Sequence, residues 1–289
     1  MAVLPRPPAG DLRGAGEPVS AIGSLLAAGR YVIFNAGREC GEERWEILAT
    51  PEGYLVTGEQ EVVPPHPFPN RQEYRGTLGP DWRPAKLEIL WRVGERRLRA
   101  THRTEGGMWR VRIEYGGQVR EQEGDFPDLC EVEYGTHLFN TVMLARRDFQ
   151  IGGEHEFPVL RIGPPLMAVS PERMLYRCVE QGSVETPFGA VTAKRYVVSL
   201  PPGPEEQGYS FWADEDGLVL ESYEGPDRSR PWMRLVELRR GDAAPPLWPV
   251  TMAASGARIE TCRRAARPLR ALPGPFISVM TVREEGGPP

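Results

Sequence analysis

Three polar side chains, His137, Asn140 and Thr141, are the residues whose spacing best suits chemistry. Three and four positions apart, they share one face of any helix that carries them. Facing a pocket, such a cluster could hold a polar head group or position a water. Facing a sheet, it would instead be a hydrogen-bonded anchor for the helix. The chain has only four histidines, so imidazole acid–base or metal chemistry has few other candidates. A hydrolase acting through the His137 face is the enzymatic reading that remains open.

Flanking charges offer further chemistry. Arg146 and Arg147 could bind an anion, or complement the dipole of a solvated helix end. Glu131 and Glu133 alternate, so they would share a strand face, either for acid–base work or simply in solvent. Several established motifs are missing from the sequence. It contains no G-x-S-x-G elbow, no G-x-x-x-x-G-K-[ST] loop and no H-E-x-x-H pair. The four cysteines (Cys40, Cys130, Cys178 and Cys262) are scattered without metal spacing and read as small buried hydrophobes. Neither a cofactor nor a metal is expected.

The element that must position the polar cluster is the stretch Glu131 to Phe149. Tyr134, Leu138, Val142, Ala145 and Phe149 recur at helical spacing, with Thr136 as N-cap, which predicts a helix over 135–148. The rest of the chain reads as short strands and Gly turns. Predicted strands fall at 30–36, 44–49, 54–63, 73–78, 86–93, 96–104 and 108–115 before the helix. After it come 156–162, 174–180, 190–200, 209–213, 218–223 and 232–238. The segment PPHPFP at 64–69 must be a loop, because four of its six residues lack an N–H. As an extended Pro-rich segment it could also serve a protein-interaction scaffold.

A lone helix in a strand-rich chain predicts a mainly β fold: a large curved antiparallel sheet, or half-open barrel, wrapping one central helix. Residues 1–28 read as a flexible arm and 29–240 as one β domain. Within it, a duplicated β unit could flank the helix. Residues 241–289 read as a linker and C-terminal extension with one candidate strand at 276–282. Net charge is −5 with no basic run, so nucleic acid is not an expected partner. No apolar run approaches the roughly 18 residues of a membrane span, and no secretory h-region is evident, so a cytoplasmic location is expected.

Aromatic residues mark nearly every strand or turn of the first half. Trp45, Tyr54, Trp82, Trp91 and Trp109 could line a concave apolar pocket or fill the core between sheet and helix. The order of motifs adds a resemblance. GTLGPDWRPAKLEILW, then GGMWRVRIEYGG, an acidic step at Asp128, and Phe139-Asn140-Thr141 before Arg146-Arg147 resemble the glycolipid-binding family. Trp82 and Trp109 match the family's tryptophans. Its Thr-Pro-Phe helix entry is replaced here by Thr136-His137-Leu138-Phe139. The resemblance implies a curved antiparallel sheet closing partway around a helix, as in bacterial lipoprotein carriers. The expectation is a non-enzymatic protein whose apolar cleft takes a lipid-like or glycolipid-like ligand. Its candidate site residues are Trp45, Tyr54, Trp91, Trp109, His137, Asn140 and Arg146.

Overall fold

Alternation of Val, Ile, Leu, Tyr and Trp with Arg and Glu makes most of this chain strand. The computed structural model describes residues 23–147, 149–163, 167–199, 208–225 and 230–241. In chain order the strands before the helix are β1 Ser24–Asn35, β2 Arg38–Thr50, β3 Gly53–Val62, β4 Asn70–Leu78, β5 Pro84–Val93, β6 Arg96–Glu105, β7 Met108–Tyr115, β8 Gln118–Asp125 and β9 Glu131–Tyr134. Helix α1 is His137–Ala145. Then come β10 Glu154–Gly163, β11 Ala168–Thr186, β12 Gly189–Ser199, β13 Tyr209–Asp214, β14 Val219–Glu224 and β15 Arg230–Arg240.

All fifteen strands join one sheet, in the order β8 to β1, then β15 back down to β9. Successive strands pair antiparallel, and the β1–β15 ladder joins the two arms. The exception is β9 with β10, which pair parallel. A parallel pair needs a crossover connection, and α1 is that crossover. It sits inside the curve of the sheet, bonded to β2 and β4 on one arm and to β11 and β14 on the other. The outermost arm of the sheet also turns back, so that Gln122 on β8 accepts a bond from the Val169 amide on β11. Among the described residues no ladder joins the end strands β8 and β9, so the curved sheet stays open there.

Packing on the inner face follows the ladder rows. Gly29, Trp45, Gly58, Tyr74, Ile89, Ala100 and Ile113 stand opposite one another across seven strands from β1 to β7. Large and small residues alternate along this row at Gly29–Trp45–Gly58–Tyr74, so each ring lies over a glycine. A Cβ on Gly29 would strike Trp45, and one on Gly58 would strike the Tyr74 ring. Nine helical residues are too few to be stable alone, so α1 depends on packing. Every residue from His137 to Leu144 is buried.

Several elements differ from the sequence expectation. Glu131–Tyr134 is a strand, because the period-2 run EVEY ends at Gly135 before Thr136 caps the helix. The helix therefore runs 137–145 rather than 135–148. Residues 24–28, read as part of a flexible arm, begin β1. The predicted loop at 182–189 is mostly strand, since β11 and β12 extend as a ladder to a turn after Thr186. Strand β8 was not foreseen, since QVREQEGD is polar on both faces and almost wholly exposed. The PPHPFP segment is a loop, with Phe68 67% exposed. The candidate strand at 276–282, the 242–249 linker and Cys262 lie outside the described residues; Cys40, Cys130 and Cys178 are buried free thiols.

The Gly58 contact yields a test of the row. Gly58→Ala should cost about 1–3 kcal/mol, the usual penalty for overpacking, by displacing Tyr74. Denaturant unfolding of the variant measures this, and unchanged stability would show that the row can relax.

Candidate ligand-binding cleft

Three groups of buried polar side chains surround α1. The first lies beneath its N-terminus. Glu43, Gln60 and Gln72 stand opposite one another on β2, β3 and β4, in the row next to Trp45. Glu43 is fully buried, and its carboxylate accepts from the Tyr74 hydroxyl at 2.5 Å, from the Gln60 amide at 3.2 Å and from Thr136 Oγ1. Thr136 in turn accepts from the Leu138 amide at 3.2 Å, so the helix cap rests directly on Glu43. Gln72 donates to Gln60, and the Tyr134 hydroxyl donates to Gln72 at 2.5 Å. Every proton in the chain Tyr134–Gln72–Gln60–Glu43 points toward the acid. Burial pushes the Glu43 carboxyl up, and its three donors pull it part of the way back.

The second group contains the helix's own polar face. Asn140 Oδ1 accepts from the hydroxyls of Tyr176 at 2.8 Å and Tyr209 at 2.9 Å. Its oxygen being so occupied, Asn140 presents its amide Nδ2 to His137 Nδ1 at 3.2 Å. Nδ1 must then be the acceptor, which leaves the ring proton on Nε2. Nε2 lies 2.5 Å from Ser222 Oγ, and that oxygen also accepts from the Met233 amide at 3.2 Å. Thr141 Oγ1 accepts from the Val219 amide, a second tie to β14. A histidine can activate a serine only through an unprotonated nitrogen facing it. Here the nitrogen facing Ser222 carries the proton, and the orienting partner is an amide rather than a carboxylate. The pair is arranged as an anchor.

The third group closes the helix C-terminus. Glu131 is buried and is bonded by Arg146 Nη1 at 2.5 Å and by Arg147 Nε at 3.0 Å and Nη2 at 2.8 Å. Arg147 also lies over the Phe157 ring at 4.2 Å and donates to the Leu129 carbonyl at 2.7 Å. The solvated roles expected for Glu131, Arg146 and Arg147 are therefore corrected. With β9 running as a strand under the helix end, both guanidiniums fold back onto Glu131.

Between the second and third groups, a cleft separates α1 from β9, β10 and β11. Its lining mixes the apolar side chains of Phe139, Met143, Phe157, Val159 and Met174 with the polar residues Glu131, Glu133, Tyr134, Asn140 and Tyr176. It has room of about 10 Å³, the space of a single water. The Glu133 side chain is 19% exposed and pairs with Arg161 at 3.5 Å. Burial pushes the Glu133 carboxyl up, and Arg161 draws it back.

Of the seven residues proposed from sequence, only Asn140 lines this cleft. His137 is bonded to Asn140 but does not itself line the cleft, and Arg146 is held by Glu131. Trp45 and Trp109 are buried in the core, Tyr54 stacks on Trp82 at 4.0 Å, and Trp91 is half-buried against that same core. Glu43, Gln60, Gln72 and Ser222 escaped the sequence reading. Glu43 did leave a signal, since it shares inward parity with Trp45 and Ile47. No group of three His, Cys, Asp or Glu among the described residues could hold a metal, and no helix there is long and apolar enough to cross a membrane.

No family model and no curated protein matches the chain, so the glycolipid-binding family is not confirmed. Among solved structures, it is similar to a DUF1089 family protein from Pseudomonas aeruginosa, with TM-score 0.45 and 16% identity over 65% of this chain and 91% of that one. It is also similar to a beta-barrel-like protein of domain of unknown function DUF1849 from Brucella abortus, with TM-score 0.46 and 12% identity over 76% and 98% of the two chains. Likeness at this level carries no argument about the site.

Two measurements check the polar geometry. Burial holds His137 and His102 down at about 3, against 6.5 for a free imidazole. Their contribution to stability is complete above pH 6.5 and is lost as pH falls toward 3, because the unfolded chain takes up protons that the fold refuses. Between those limits, His137→Gln and His102→Gln should each flatten the acid-side stability slope by up to about 1.4 kcal/mol per pH unit. Unfolding at several pH values reads this directly, as a difference from wild type that leaves out the opposing raised carboxyls. Separately, ¹⁵N NMR of the imidazole should report the Nε2–H tautomer for His137. An Nδ1–H signal would restore the general-base geometry toward Ser222.

Proposed function

We propose that this protein binds an amphiphilic, lipid-like small molecule in the cleft between α1 and β9–β11, without catalysing a reaction on it. The observation carrying this reading is the mixed lining. Apolar side chains and hydrogen-bonding groups share one gap, and Glu133 in that lining is partly exposed. A typical small-molecule site is about 300–1,000 Å³, so a ligand's tail must part the closed walls. Met143 and Met174 supply the means, because unbranched thioether side chains repack at low cost. The motif resemblance to a glycolipid-binding family supports the same ligand class.

Glu133 lines the cleft from the sheet's edge strand and is partly exposed, so Glu133→Trp should plug the cleft. Native mass spectrometry of detergent-free protein should show an extractable amphiphile on the wild type and at least tenfold less on the variant. Trp91→Ala, away from the cleft, should retain it. A wild type that carries nothing and takes up nothing from a lipid extract would remove the proposal.

A further inference from the structure

Hydrogen-bond accounting around the cleft limits what its occupant can be. Its polar side chains are Glu131, Glu133, Tyr134, Asn140 and Tyr176. The Tyr134 proton is committed to Gln72, and the Tyr176 proton to Asn140. Asn140 spends one amide hydrogen on His137, leaving its second as the one uncommitted side-chain donor in this set. The two glutamates bring only acceptors when ionised. The Tyr176 oxygen keeps a free lone pair after donating, so the lining is rich in acceptors and poor in donors.

The two acids are not equally available. Glu131 is neutralised by two guanidiniums at 2.5–3.0 Å. Glu133 has a single ion pair among the described residues, at 3.5 Å, with an Arg161 that also reaches Glu172 at 3.5 Å. A phosphate, sulfate or carboxylate head would therefore meet acceptors and an under-paired negative charge. Donor count and charge narrow the choice again. An –NH₃⁺ group brings three donors and a positive charge for Glu133, whereas a trimethylammonium group brings no donor and a sugar ring no charge.

We infer that the cleft selects amphiphiles with a primary ammonium head, with Glu133 as its counter-charge and the hydroxyl oxygen of Tyr176 as a further acceptor. The inference rests on the cleft being the binding site and specifies its polarity.

The test compares four twelve-carbon single-chain probes at neutral pH, below their aggregation limits: dodecylamine, dodecanoate, dodecyl glucoside and dodecyltrimethylammonium. Affinity is read by titration calorimetry and by the shift in melting temperature. Dodecylamine should bind at least tenfold more tightly than each of the others. Glu133→Gln, a near-isosteric change at a partly exposed position, should remove that preference by lowering dodecylamine affinity to the level of dodecyl glucoside. If no probe binds, the cleft itself is refuted as a site, and this inference falls with it. If dodecanoate, dodecyl glucoside or dodecyltrimethylammonium binds as tightly as the amine, the cleft stands and its ammonium selectivity is overturned. An undiminished amine preference in Glu133→Gln would overturn the role of Glu133.

Discussion

A carboxylate with neutral partners fixes the position of the helix. Moving Glu43 out of water costs several kcal/mol, and a lone buried charge would not be tolerated. Thr136, Tyr74 and Gln60 offset that cost with three bonds to the acid, of a kind worth about 1.5–3 kcal/mol each. These donors come from β3, β4 and the helix cap, so the acid is satisfied only when all three arrive together. Shifting β2 by one residue would turn Glu43 to the outer face and strand every donor. The same site thus specifies strand register and helix placement.

The two ends of α1 are held by opposite chemistries. At the N-terminus an acid from the sheet receives neutral donors through Thr136; at the C-terminus an acid from β9 receives two arginines. Both acids lie on strands, so the sheet clamps a helix that is too short to persist alone. Between the clamps, Phe139, Asn140 and Met143 face the cleft. A helix pinned at both ends can hold a polar anchor such as Asn140 in register while a neighbouring methionine adapts.

Much of the fold was legible because it rests on local signals. Period-2 alternation marked most of the strands, Gly turns marked their ends, and Thr136 identified the helix cap. The boundary at Tyr134 was obscured because Tyr134 continues the helical spacing of Leu138 and Val142, although its backbone is strand. Strand β8 left no signal, since an edge exposed on both faces needs no apolar residues. The site was harder to read. His137 and Asn140 stood out by their spacing, but their partners Ser222, Tyr176 and Tyr209 come from strands 36 to 85 positions away. The tryptophans misled because aromatic residues on inward strand positions suit a core and a pocket equally, and only the depth of packing separates the two.

Satisfied and unsatisfied polarity divides the interior by role. Around Glu43 each donor is matched to an acceptor, and the Tyr134–Gln72–Gln60 chain ends on the acid with its protons all directed one way. Such a closed network stabilises one arrangement and has nothing to offer a ligand. Around Ser222 the same holds: His137 Nε2 and the Met233 amide both donate to its oxygen. The cleft differs because its acceptors outnumber its donors, and Glu133 has one long ion pair where Glu131 has two close ones. A region needed only for stability would gain by replacing such groups with apolar ones of similar size. Unspent acceptor capacity beside a partly exposed Glu133 is what sets this gap apart from the closed networks at the two ends of the helix.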